Sequence, residues 1–125
     1  MGANTGSVAT SADANGNVIW KNSQDLVLVK YVKRISANYT VDFAIDDVIL
    51  VDASNGSVSV GIPTTGAVSG RVLTIKRVDT SSNSVIIDFT AGFVDETDHL
   101  ISVGQKITYQ IIAESSTKWQ TISRF

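Results

Sequence analysis

The chain has 125 residues, within the usual size of a single domain, and its 10 basic and 12 acidic side chains leave a formal net charge of -2. This near balance argues against nucleic-acid binding, because neutralising phosphates requires clustered lysine and arginine. Cysteine is absent, which excludes disulfides, thiolate metal sites and thiol nucleophiles. No run is apolar and long enough to span a bilayer, and residues 1–17 do not resemble a secretory signal. We therefore expect synthesis and assembly in the cytoplasm, without a membrane partner.

The first 25 residues differ in composition from the rest. Residues 1–24 are dominated by Gly, Ala, Asn, Ser and Thr, which bury little apolar surface, so we expect residues 1–25 to form an extended N-terminal arm. Val18, Ile19 and Trp20 form an apolar island within it. Because a tryptophan has about 150–250 Å² of surface to bury, we expect Trp20 to anchor the arm on its own domain or on a neighbour. The alternative is simple partial exposure of Trp20.

Residues 26–125 have the pattern of short β-strands separated by turn residues. Valine, isoleucine and threonine are frequent, and their stiff branched side chains favour a pleated sheet over a helix. The predicted strands are 26–35, 38–43, 47–52, 57–62, 71–78, 85–89, 99–101, 105–113 and 118–122. We therefore expect an all-β fold, a small β-sandwich or β-prism-like domain of about eight to nine strands.

The turn residues indicate how these strands are connected. Asn55-Gly56 is a strong hairpin signal, because a type I′ turn needs positive φ at both central residues. Residues 81–84 form another turn, after which 85–89 is expected to pair back on 71–78 as a hairpin. Pro63 should end the alternating strand that places Val58, Val60 and Ile62 on one face. A last tight turn at 114–116 precedes the strand that contains Trp119.

Few residues could support catalysis or metal binding. Asp95, Glu96, Asp98 and His99 could hold a divalent cation, but their spacing matches no calcium-loop template, and a solvated loop accounts for them. His99 is the only histidine, and the chain lacks a Gly-x-Ser-x-Gly nucleophile motif. We therefore expect no enzymatic activity, no cofactor and no bound metal.

Aromatic and basic residues leave two binding alternatives open. Tyr39, Tyr109 and Trp119 lie in strand patterns suited to a core or an interface, but tryptophan and tyrosine also stack on sugar rings, so carbohydrate binding is an alternative. The only basic cluster contains Lys30, Lys33 and Arg34. It is either a solvated face or a docking patch for an acidic partner surface.

Residues 39–123 resemble a β-domain that recurs in the fibre and particle-surface proteins of tailed bacteriophages. The resemblance is in a combined order of elements rather than in any one motif. The matching segments are 48–63 (VILVDASNGSVSVGIP), 70–79 (GRVLTIKRVD), 83–88 (NSVIID), 107–113 (ITYQIIA) and Trp119.

The resemblance implies a small β-sandwich or prism that assembles as a homotrimer on a virion. Apolar residues on both faces of 48–51 and 86–87 agree with this, because they need a second cover that a subunit interface can supply. The short chain favours a capsid decoration (cement) protein that binds the major capsid protein or another virion protein. Its predicted attachment residues are Val18, Ile19, Trp20, Lys30, Lys33 and Arg34. The alternative is a tail-fibre or receptor-binding protein, with host-surface carbohydrate as a ligand.

Overall fold

The computed structural model describes the backbone of residues 7–12 and 18–22, and residues 30–125 in full. Strands β1 (Ser7–Ala12) and β2 (Val18–Asn22) pair antiparallel with an irregularity between Ala9 and Ser11. This local pairing was not predicted for the arm. The boundary of the arm at residue 25 stays a prediction, and the first residues of the predicted strand 26–35 lie outside the described part.

The described domain contains a six-stranded sheet and a four-stranded sheet, which confirms the predicted all-β, sandwich-like fold. The six-stranded sheet has the order β3-β5-β7-β11-β12-β9, and the four-stranded sheet has the order β10-β8-β6-β4. The strands are β3 (Val32–Ile35), β4 (Tyr39–Thr40), β5 (Val48–Val51), β6 (Val58–Gly61), β7 (Val72–Arg77), β8 (Val85–Asp88), β9 (Phe93–Val94), β10 (Leu100–Ser102), β11 (Thr108–Ala113) and β12 (Lys118–Arg124). Two of these strands, β4 and β9, are only two residues long.

From β3 to β8 the chain alternates between the two sheets, so consecutive strands face each other across the core. Strands β3, β5 and β7 pair in parallel in one sheet, and β4, β6 and β8 pair in parallel in the other. The two hairpins predicted at Asn55-Gly56 and at 81–84 are therefore wrong, because each of these turns crosses between sheets. Of the two central residues only Gly56 has a positive φ, so the type I′ geometry is absent there. The final hairpin of β11 and β12 is antiparallel, as predicted.

Alternation of apolar residues along each strand builds the core between the sheets. Val58, Val60 and Ile62 all point inward, as their spacing predicts, and Pro63 follows the end of β6. Trp119 is the largest buried side chain and stacks on Phe43, with ring centroids 5.5 Å apart. Tyr39 and Tyr109 pack against the same cluster while staying partly exposed. The predicted placement of these aromatics in a core pattern is confirmed.

A buried arginine ties several loops to the core. Arg77 lies at the inward-facing end of β7, where alternation would place an apolar residue, and it is buried. Its guanidinium donates to both carboxylate oxygens of Asp79 and to the carbonyls of Ser81, Asn83 and Val103. Asp79 in turn accepts the N–H of Ala53. One ion pair thus links the ends of strands from both sheets.

Candidate interaction surface

The predicted basic cluster lies at β3, whose outer side has no partner strand in the part of the chain that the structure describes. Lys30, Lys33 and Arg34 are all exposed on β3 or directly before it, and β3 is the first strand in the sheet order. Arg34 forms an exposed ion pair with Asp52 at 3.4 Å, and Lys33 lies over the ring of Tyr39 at 5.6 Å. Lys30 lines a cleft described below. The structure thus brings these three predicted residues together on one accessible edge.

The other three predicted attachment residues belong to β2. Their backbones pair with β1, where Val18 lies opposite Ala12, Ile19 opposite Ser11 and Trp20 opposite Ala9. Their side chains lie outside the described part of the structure. The prediction that Trp20 anchors the arm therefore stays a prediction.

A cleft of about 450 Å³ lies beside the basic edge. It is lined by Tyr31, whose side chain is 62% exposed, and by Asp47 and Arg71, which form an ion pair at 2.9 Å. The backbone N–H of Tyr31 donates to Asp47, and this bond, together with the positive charge of Arg71, holds the pKa of Asp47 below its usual range. An exposed ring beside a fixed carboxylate and guanidinium offers both stacking and hydrogen bonds to a polar ligand.

A second cleft, of about 600 Å³, lies on the other side of the turn that follows β4. Phe43 and Ala44 line both clefts, so the two flank the same turn. Asp46 fixes this turn because its buried carboxylate accepts the hydroxyl of Tyr39 at 2.6 Å and the N–H of Asp42 at 2.8 Å. The hydrogen bond to Asp46 is the main reason that the pKa of Tyr39 is raised to about 12. The clefts therefore have a rigid wall between them.

Two side chains of the acidic loop that was considered as a cation site, Asp95 and His99, form hydrogen bonds within the protein. Asp95 accepts both the N–H and the hydroxyl of Thr121, and His99 contacts the carbonyl of Gly92 through Nδ1 at 2.8 Å. Within residues 30–125, no group of three or more Asp, Glu, His or Cys side chains is placed to hold a metal ion. In the described ranges, no helix has the length and apolar character needed to cross a membrane.

Sequence reasoning missed the apolar residues exposed at the edges of the larger sheet. Tyr31 and Val32 are exposed at β3, and Ile122 and Phe125 are exposed at the end of β12. The signal in the sequence was that some strands have apolar residues on both faces. That pattern predicted that a second surface packs on their outer face. On β5 that prediction corresponds to Val48 and Leu50, which face outward and are only partly buried.

Of the three aromatic residues considered for sugar stacking, Tyr39 and Tyr109 are partly buried and Trp119 is buried; Tyr31 was not among them. Trp119 is 1% exposed and cannot stack on a ligand without unfolding, whereas Tyr31 is accessible in the cleft. No known protein-family model matches this chain, and no curated protein matches it. The resemblance to phage virion proteins therefore stays a prediction based on the residues quoted above.

Proposed function

We propose that this chain is a non-enzymatic structural protein of a tailed-bacteriophage virion, a homotrimer that decorates the capsid and is attached through its N-terminal arm. The observation that carries the proposal is the exposure of large apolar side chains at both edges of the six-stranded sheet. Apolar side chains exposed at strand edges, such as Val32 on β3 and Ile122 on β12, favour contact with another chain. The small size of the β-domain also favours assembly, since such a domain alone buries a modest share of its surface.

The arm and the basic edge form the attachment element in this proposal. Lys33 and Arg34 are exposed on β3, which follows the arm in the chain, so in this proposal their side chains and the arm meet the capsid together, with Lys30 beside them where the contact between copies begins. A basic edge on the decoration protein fits an acidic patch on the capsid surface and speeds encounter with it.

The test is a binding assay with capsids that lack the protein. The full chain is compared with a variant lacking residues 1–24 and with the charge-reversed variant Lys33→Glu/Arg34→Glu, which leaves Lys30 in place, using co-sedimentation with heads. Light scattering checks that both variants keep the oligomeric mass of the full chain. We expect the truncated variant to keep its oligomeric mass but lose binding, and the charge-reversed variant to bind more weakly. Full binding by the truncated variant contradicts attachment through the arm. Failure of the full chain to bind any head, or heads equally resistant to heat with and without it, contradicts the capsid role.

A second candidate function is receptor binding in a tail fibre. The observation that favours it is the cleft in which the exposed ring of Tyr31 lies beside Asp47 and Arg71, because sugars are bound by stacking on aromatic rings and by charged hydrogen-bonding groups. In this case the protein binds host-surface glycans, and Tyr31→Ala abolishes that binding while Phe125→Ala, an exposed aromatic outside the cleft, does not. A glycan array with both variants separates the two functions.

A further inference from the structure

Two strand segments of the six-stranded sheet have an outer side without a partner strand among the described residues. One is β3, at the end of the sheet order. The other is residues 122–124 of β12, because β9 pairs only with Lys118 and Trp119 and the Asp95 side chain accepts the N–H of Thr121. Val32 is 59% exposed on the first edge and Ile122 is 50% exposed on the second. An open edge with apolar side chains is a template for pairing with another chain.

The two open edges run in the same direction and share one row of the sheet. Strand β7 is parallel to β5 and β3, whereas β11 is antiparallel to β7 and β12 is antiparallel to β11, so β12 runs parallel to β3. The row that joins the edges contains the paired residues Val32, Val48, Thr74, Gln110 and Ser123. Rotation about an axis along the strands therefore brings the β12 edge of one copy beside β3 of the next, in parallel and at the same height.

We propose that β3 of one copy of this chain pairs in parallel with residues 122–124 of β12 in the next copy, which joins the six-stranded sheets of successive copies into a closed ring. The inference rests on the self-association in the proposed function and names the two edges that carry it.

The backbone groups on both edges fit this register. The carbonyls of Tyr31 and Ile35 accept the N–H groups of Val48 and Asp52, each at 2.9 Å, so the N–H and C=O groups of Val32 and Arg34 point away from β5. On β12, Phe125 exchanges hydrogen bonds with Thr108 of β11, so the alternation turns the N–H and C=O groups of Arg124 outward. With Val32 opposite Ser123, the N–H of Arg124 donates to Val32 and its carbonyl accepts from Arg34.

The charges beside the two edges favour a head-to-tail contact. Near the β12 edge, the side-chain amide of Gln120 donates to both Glu96 and Glu114, at 2.7 and 2.8 Å, and so holds two carboxylates together. Gln120 pairs with Ile112, two rows from the pair of Gln110 and Ser123, because Ile122 is an extra, unpaired residue in the β12 ladder. Lys30 lies two residues before Val32 and so falls in the same row as Gln120. Lys30 of one copy therefore meets the paired glutamates of the next.

Symmetric pairing of β3 with a second β3 is disfavoured by the same charges. It brings the basic cluster of one copy against the basic cluster of the other, and like charges on facing strands are destabilising. The head-to-tail arrangement brings one like pair close, Lys33 and Arg124. Each of these cations is turned onto a tyrosine ring of its own chain, at 5.6 Å for Lys33 and 5.8 Å for Arg124.

The experiment compares single lysine substitutions at three exposed apolar edge positions in the full chain. Val32→Lys and Ile122→Lys place a charge on each side of the proposed contact, and edge lysines block strand pairing. Leu100→Lys is the matched control, because Leu100 is 53% exposed on β10, at the edge of the four-stranded sheet. Mass is measured by light scattering, and far-UV circular dichroism checks the fold.

We expect the wild type and Leu100→Lys to have the same oligomeric mass, and Val32→Lys and Ile122→Lys to be folded monomers. Lys30→Glu should weaken association by up to about fivefold, as expected for an exposed ion pair, and adding Glu96→Lys and Glu114→Lys should restore it. An oligomeric wild type whose mass is unchanged in Val32→Lys and Ile122→Lys overturns this pairing and leaves self-association standing. A monomeric wild type overturns both, and the capsid-binding assay then decides the virion role separately.

Discussion

Arg77 and Asp79 form a two-pronged ion pair inside the domain, with Nε donating to Oδ1 at 3.0 Å and Nη2 donating to Oδ2 at 3.1 Å. Both side chains are about 5% exposed. The carboxylate also accepts the N–H groups of Ala53 and Ser81, so few of its lone pairs lack a donor. A pair with this many hydrogen bonds positions the turns at Ala53 and Ser81 against the end of β7.

Removing one member of this pair should be strongly destabilising. Asp79→Asn leaves the buried charge of Arg77 without its counter-ion, and we expect the free energy of unfolding to fall by about 3–5 kcal/mol. Chemical denaturation followed by circular dichroism measures the change. Asp52→Asn is the matched control, since Asp52 pairs with Arg34 at the surface and its loss should cost at most about 1 kcal/mol. Equal losses in the two variants would contradict a structural role for the buried pair.

The same carboxylate makes stability depend on acid pH. Hydrogen bonds from Arg77 are the largest reason that the pKa of Asp79 in the folded protein lies far below its usual range. A depressed folded pKa contributes stability that is complete above the pKa of the unfolded chain, near 3.8, and is lost as the pH falls below it. We expect melting temperature to drop on acidification below about pH 4. In Asp79→Asn this drop should be smaller, and an unchanged pH profile in that variant would refute the assignment.

Tyr39 makes stability depend on alkaline pH, because its contribution to stability is lost as the pH rises, whereas that of Asp79 is lost as the pH falls. Its hydroxyl donates to Asp46 and its pKa is raised to about 12, above the usual 10.0. A raised folded pKa contributes stability that is complete below pH 10 and is lost as the pH rises towards 12. The tyrosinate absorbance difference between the wild type and Tyr39→Phe should therefore appear near pH 12. A difference spectrum that titrates at pH 10 would show that the bond to Asp46 does not form in solution.

Trp119 should be the most sensitive core position. It is buried between Phe43 and Phe89, with ring centroids 5.5 and 6.4 Å away. We expect Trp119→Ala to lower the free energy of unfolding by about 3–5 kcal/mol because it leaves a large cavity. Trp119→Phe should cost less, since it keeps ring contacts and removes an indole N–H that is buried without a partner among the described residues. Denaturant unfolding of both variants measures the order, and an equal cost would be inconsistent with the packing described.

The strands could be predicted from the sequence far better than their neighbours in the sheets. Alternation in 57–62 predicts the inward face of β6, and Pro63 its end, because both signals are local. Asn55-Gly56 also marks a real turn, but the identity of turn residues does not specify which sheet the next strand joins. Parallel pairs such as β5 with β7 join residues far apart in the chain, and no local pattern encodes that choice.

The candidate surface could be predicted only in part for a similar reason. Clustered charge at Lys30, Lys33 and Arg34 is visible in the sequence, and these residues do share an exposed edge. The open side of residues 122–124 is a property of the sheet order, since it depends on β9 being too short to cover β12. Arg77 was not singled out from the sequence, where it is one residue of the predicted strand 71–78. The signal for a buried ion pair was Asp79, which lies two residues after Arg77 and therefore on the same side of an extended chain.

The alternation of β3 to β8 between sheets has a consequence for how the domain forms during synthesis. Within β3 to β8, the parallel partner of each strand is synthesised only after an intervening strand of the opposite sheet. Each of these strands therefore lacks its hydrogen-bonding partner when it is first made. Of the buried core residues in 30–125, Trp119 on β12 is made last, and it packs on Phe43 and Phe89 from earlier parts of the domain. Because non-local strand pairing is slow, strand edges of the nascent polypeptide stay unpaired and exposed during translation. We therefore expect its folding to depend on chaperones until release.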